Sequence, residues 1–137
     1  MTRALERVAA TLTAPTVAVV HGDANATNFL FAESGPVAID LERVGLYDPA
    51  LDVGFLAAEI MHLVLQYGGD VARAWPLVGV LLGSYRSTAH TRSLPGMYVA
   101  MGLWRVARNR WVPRAHRTKL FELSRLVLAG ETTRGLF

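Results

Sequence analysis

The stretch VAVVHGDANATNFLF, residues 17–31, decides the fold. A four-residue apolar run reaches His21-Gly22-Asp23, and Asn28 follows five positions after Asp23 at the head of a second apolar run. Short uncharged runs bounded by turn residues read as strands. Thr16–Val20 therefore predicts a buried strand, and the polar loop leads from it into NFLF. VAID, residues 37–40, follows after AESGP, so a Gly-Pro turn is expected to fold the two runs into a hairpin. With that turn centred on Ser34, position 29 pairs with 39, 30 with 38 and 31 with 37. Asn28 then opposes Asp40. Opposed residues in an antiparallel pair have Cα atoms about 4.5–5.5 Å apart, so Asp23, Asn28 and Asp40 are expected to converge.

One amide and two carboxylates in one place suit magnesium. That ion takes oxygen ligands at about 2.0–2.1 Å, uses few protein ligands and leaves the rest to phosphates and water. Asn28 and Asp40 are the expected ligands, and the Asp23 carboxylate is placed to accept a hydroxyl proton and orient the nucleophile.

Outward from this loop the pattern turns helical. Leu5, Val8, Ala9 and Leu12 predict a short amphipathic helix over residues 3–12. Asp48-Pro49 is a helix start signal, with Asp48 as N-cap, for a helix reaching about Tyr67 and stopped by Gly68-Gly69. A second helix, capped by Asp70 and strained at Pro76, runs to about Ser87. HTRSLPG is a loop, a third helix covers about Met97–Trp111, and a fourth opens at Pro113 and ends near Gly130. A small β portion followed by helices gives an α+β fold, read as one domain over residues 1–137.

Composition narrows the classes. Of the 137 residues, 52% are hydrophobic and 18% charged, which excludes a disordered chain, and no run of 18 uninterrupted apolar residues marks a membrane span. There is no cysteine, so disulfides and thiolate metal sites are excluded and a cytoplasmic location is expected. The net charge of +3 divides unevenly. Residues 1–85 set four arginines against nine acids, and residues 86–137 set ten basic residues against two acids. A basic half is compatible with nucleic acid, but a solvated helix face is the favoured reading. Glu59-x-x-His62 is half of a di-metal signature without its partner, so a core-edge histidine beside a surface glutamate is favoured. His90 and His116 lack metal-ligand spacing. Trp104 and Trp111, seven apart, are expected to share one buried helix face.

HGDANATN followed by AIDLE resembles the catalytic core of the aminoglycoside phosphotransferase and choline kinase-like family, related to the protein kinases with their H-x-D-x-x-x-x-N loop and metal-binding aspartate. GLYDPALDVG extends the resemblance, which spans roughly residues 17–56. It implies a kinase-like C-terminal lobe that transfers the γ-phosphoryl group of ATP, or another nucleoside triphosphate, to a hydroxyl of a small molecule with Mg²⁺. By position, Asp23 is similar to the catalytic base, and Asn28 and Asp40 to the magnesium ligands. His21 is similar to a residue that braces the loop. Asp52 is similar to a helix aspartate that receives backbone N–H groups of the loop. Glu42 is a weaker candidate for supporting the metal. Gly22 stands where protein kinases carry an arginine that grips a phosphorylated activation loop, and seven residues between Asp40 and Asp48 leave no room for that loop. Both features point to a small-molecule kinase.

The family's β-rich N-terminal lobe supplies a phosphate-covering loop and a lysine. Here twenty residues precede His21, there is no G-x-G-x-x-G, and the sole lysine is Lys119. The expectation is a lobe whose apolar upper surface awaits a missing N-terminal lobe or a partner chain. The rival expectations are a non-catalytic kinase-like module that binds a partner, and a basic-helix nucleic-acid binder. The basic later helices weaken the case for a polycationic acceptor.

Overall fold

The computed structural model of the protein describes residues 17–88 and 95–130. The expected helix over residues 3–12, the residues of the HTRSLPG loop before Pro95, and His90 lie outside these. The described elements run β1 (Ala18–Val20), β2 (Phe29–Ala32), β3 (Gly35–Ala38), β4 (Gly45–Tyr47), then α1 (Ala50–Gln66), α2 (Trp75–Thr88), α3 (Pro95–Ala107) and α4 (Arg114–Ala129). Short 3₁₀ turns sit at Ala26–Asn28, Leu41–Arg43 and Val71–Ala74. The fold is mixed α+β and mostly helical. Among the described residues no helix is long and apolar enough to cross a membrane.

The strands form two antiparallel pairs, β1 with β4 and β2 with β3. The hairpin register differs from the sequence expectation by one residue. Phe29 pairs with Ala38, Leu30 with Val37 and Phe31 with Pro36, around a two-residue Glu33-Ser34 turn. Glu33-Ser34 closes the hairpin without the Gly-Pro pair, which lies inside β3, an edge position that tolerates a missing N–H donor. One step further on, Ile39 N–H donates to Asn28 O at 3.0 Å, so Ile39 rather than Asp40 opposes Asn28. At Asp40 the backbone leaves the strand for the left-handed region (φ 58°, ψ 54°), which ends the strand's alternation there.

β4 escapes sequence reading because GLY is too short to show a period. It matters because Val20 pairs with Gly45, clamping the strand before the polar loop to the segment before α1. Asp48 caps α1 as expected, accepting Ala50 N–H at 2.9 Å. Asp70 caps the 3₁₀ turn, accepting Ala72 N–H at 3.0 Å. Pro76 falls in the first turn of α2, where its missing donor costs nothing, so the expected strain is absent.

The core lies among the helices. Ala57, Ala58 and Met61 of α1, Val99, Leu103 and Val106 of α3, and Leu120, Leu123 and Val127 of α4 are buried at helical spacing. α1 and α3 approach closely because small residues face each other. A Cβ on Gly102 would sit 2.6 Å from the Ala58 Cβ, and one on Gly54 would collide with Tyr98. α3 ends at Ala107, short of Trp111, so Trp104 and Trp111 do not share a helix face. Both are exposed, at 56% and 63%, and neither belongs to the core. Trp104 instead stacks edge-on against Phe121 of α4.

The close α1–α3 crossing makes a direct prediction. Gly102→Leu overfills the interface and should lower unfolding stability by about 1–3 kcal/mol, read as a lower urea midpoint. An unchanged midpoint would contradict this packing.

Candidate functional site

The polar loop is a backbone structure held by side chains. Asp52, in the first turn of α1, accepts His21 N–H at 2.6 Å and Gly22 N–H at 2.9 Å through its two carboxylate oxygens. The family resemblance implied contacts of this kind for Asp52. Gly22 has φ 78°, and a Cβ there would strike the Arg43 carbonyl, so glycine is needed at this turn on two counts. The His21 ring is buried, and its Nε2 lies 2.8 Å from Ile39 O. A carbonyl only accepts, so Nε2 carries the proton. His21 thus braces the loop against the strand leading to Asp40.

The spacing between Asp23 and Asn28 has a local cause. Asn25 caps the 3₁₀ turn Ala26–Asn28, accepting Thr27 N–H at 3.0 Å. The turn folds Asn28 back, and its Nδ2 donates to Asp23 O at 3.0 Å. Asn25 Nδ2 donates to the same carbonyl at 3.2 Å. Asn28 is buried with its amide nitrogen used, so its amide oxygen is the group available for another partner. Among the described residues Asp40 has no side-chain hydrogen bond or ion pair and is exposed. His21, Asp23, Asn28 and Asp52 are thus brought together, and Asp40 follows the Ile39 link without directly opposing Asn28. Glu42 is exposed and contacts Arg43 at 3.8 Å.

Sequence reading did not find the partners of Asp23. Arg105 of α3 donates from Nη1 to Asp23 Oδ1. Arg43 Nε lies 3.7 Å from Asp23 Oδ2. Arg105 also stacks over the Phe55 ring at 4.5 Å, a cation–π contact. One signal was present, because Tyr98, Gly102 and Arg105 share a helix face. That face delivers the Tyr98 hydroxyl to Asp48 at 3.2 Å, packs Gly102 on Ala58, and brings Arg105 to Asp23. Burial, and then the neighbouring Asp48, push the Tyr98 hydroxyl up to about 12.

Asp23 opens onto a cleft of about 430 Å³ whose wall includes Arg43, Arg105, Glu59, His62 and Trp111. His62, expected at the core edge, is buried, and it is not solitary: its Nδ1 lies 2.9 Å from Nε2 of His116 on α4. Glu59 is partly buried, and that burial raises its carboxyl above the ordinary value against the opposing pull of Arg105. Among the described residues no group of three or more His, Cys, Asp or Glu side chains is placed to hold a metal by itself. A metal here therefore needs a mixed set, such as an amide oxygen, one carboxylate and ligand oxygens.

A family model for a phosphotransferase enzyme family, APH, matches residues 1–81. The chain belongs to this phosphotransferase family. The match includes the whole polar loop, both strand pairs, α1 and Asp52. No curated protein and no solved structure matches the chain. Membership points to phosphotransferase chemistry in general.

The histidine pair predicts a pH dependence. Burial lowers both imidazoles below their ordinary 6.5, and His62 and Lys119 lower His116 further. A base whose folded pKa lies below its unfolded one contributes stability fully above the unfolded value and loses it as pH falls through the window beneath. Glu59, raised from 4.5, has the opposite sign. The urea midpoint should decline below about pH 6.5, a reference value for free histidine. The double variant His62→Phe with His116→Gln should flatten that decline; an unaltered decline would refute the assignment.

Proposed function

We propose that the chain, residues 1–137, forms the C-terminal, catalytic lobe of a kinase-like small-molecule phosphotransferase that uses ATP, or another nucleoside triphosphate, with Mg²⁺. The observation that carries this reading is the Asp23 carboxylate at the wall of an open cleft, on a loop pinned by Asp52 and tied to Asn28. Family membership supports it. In the reaction an acceptor oxygen forms a bond to the γ-phosphorus as the bond from phosphorus to the β,γ-bridging oxygen breaks. Asp23 accepts the hydroxyl proton, and the nucleoside diphosphate carries the electron pair away.

The residues present fit magnesium. Asn28 offers an uncommitted amide oxygen, and Asp40 an unpaired carboxylate at a left-handed residue. Both are hard oxygen donors. A non-glycine residue in that backbone region is a strained position of the kind functional sites retain. Magnesium, when bound, supplies charge neutralisation for the phosphates. His21 and Asp52 keep the loop in shape, and a triphosphate donor is consistent with a cytoplasmic location.

Among the described residues both strand pairs expose large apolar side chains. Val19 is 73% exposed, Phe31 85% and Leu46 68%. Exposed apolar side chains on both strand pairs suit a docking surface. We assign it to a strand-rich body that completes the nucleotide cleft, whether part of the same polypeptide or a separate chain. The same exposed side chains favour a second reading, in which the lobe docks a partner without transferring phosphate.

Titration calorimetry with magnesium and ATP tests the proposal. Asp40→Ala should abolish magnesium-dependent nucleotide binding. Asp23→Asn should preserve that binding while lowering turnover of the completed enzyme about 10²–10⁴-fold, the usual worth of a general base. Unchanged binding in Asp40→Ala, or full turnover in Asp23→Asn, would reject the respective role. Tight docking of the complementary body with no transfer would establish the second reading.

A further inference from the structure

The cleft holds more positive charge than a lone catalytic carboxylate needs. Two guanidiniums face Asp23, and the nearest other acid lining the cleft is Glu59. Burial favours the neutral form of Glu59, and the His62 imidazole is shifted toward neutrality as well. Arg43's second acid, Glu42, is 70% exposed, and a pair in that setting is weak. Each guanidinium carries five N–H donors in a planar fork, and Arg105 spends one nitrogen on Asp23. The ring of Phe55 lies against Arg105, and the close α1–α3 crossing fixes the helix that carries it. A preorganised fork of this kind recognises carboxylate or phosphate in a bidentate way.

We propose that Arg105, assisted by Arg43, is a specificity-determining residue that selects hydroxyl acceptors bearing an acidic group, a carboxylate or a phosphate, beside the hydroxyl to be phosphorylated. The inference rests on the phosphotransferase reading for the role of Asp23. It has a consequence for catalysis. In the free protein Arg105 is paired with Asp23; an acidic acceptor competes for the guanidinium and leaves the Asp23 carboxylate open to the hydroxyl proton. A cationic acceptor meets two like charges next to the base and gains nothing from the fork.

The test is an NMR titration of the full chain with four small probes: D-glycerate, glycerol 3-phosphate, glycerol and choline. It follows the Arg105 Nε–H resonance. The acidic probes should shift that resonance saturably and bind on the order of tenfold more tightly than glycerol, as charge-assisted bonds outweigh neutral ones. Arg105→Met should abolish the preference, and Arg105→Lys should weaken it by losing the fork. Arg43→Ala, an exposed position that leaves the α1–α3 packing alone, should reduce it several-fold and decides the matter if Arg105→Met does not fold. Equal binding of glycerol or choline, or an acid preference that survives both Arg105→Met and Arg43→Ala, would overturn the proposal. A parallel magnesium–ATP titration separates the two claims. Acid selectivity at Arg105 with no magnesium-nucleotide binding even when the complementary strand-rich body is docked would remove the kinase reading and keep the subsite. Nucleotide binding without acid selectivity would remove the subsite alone.

Discussion

The Asp52 carboxylate, shared between two successive backbone N–H groups, is the constraint on which the site depends. His21 and Gly22 sit where β1 has ended, so their amides have no ladder partner. A buried donor left without a partner costs about 1–3 kcal/mol, and bonds to charged acceptors are stronger than neutral ones. One aspartate therefore fixes where the loop begins relative to α1. The start of α1 is fixed in turn by Asp48, which caps it and receives the Tyr98 hydroxyl. Tyr98, Gly102 and Arg105 then lie on one face of α3, so the helix that supports the cap also returns a cation to Asp23. Loop, helix start and cleft wall are registered against one another by a few polar contacts and one close helix crossing.

The site combines rigidity with uncommitted chemistry. Backbone groups of the loop are bonded: Asp23 O by Asn25 and Asn28, His21 and Gly22 N–H by Asp52, Ile39 O by the His21 ring. What remains open is the Asn28 amide oxygen, the Asp40 carboxylate and the outer donors of the arginines. The proposed phosphoryl transfer would draw on these groups, since positioning plus electrostatics are what that chemistry asks of a protein. The family match over residues 1–81 includes this stretch.

Much of this was legible from short-range sequence. HGDANATN located the loop, Asp-Pro located the start of α1, and the resemblance singled out Asp52, whose carboxylate accepts the His21 and Gly22 N–H groups. The hairpin register differs from the expected one because the turn is the two-residue Glu33-Ser34, with Gly35-Pro36 already inside β3. A slip of one position was enough to exchange Ile39 for Asp40 opposite Asn28. Trp104 and Trp111 do not share a face because the helix expected to reach Trp111 ends at Ala107. Arg105 with Asp23, and His62 with His116, are separated by 82 and 54 residues, and no local pattern announces such pairs. They follow from the α1–α3–α4 packing.

Amide hydrogen exchange at His21 and Gly22 tests the central claim most directly. If Asp52 holds the loop, these two amides should exchange orders of magnitude more slowly than an open loop. Asp52→Asn should free Gly22 or His21 selectively, while the core amides of Leu103 and Val106 keep their protection. Exchange at the free-peptide rate in the unaltered protein, or no change in Asp52→Asn, would contradict the account.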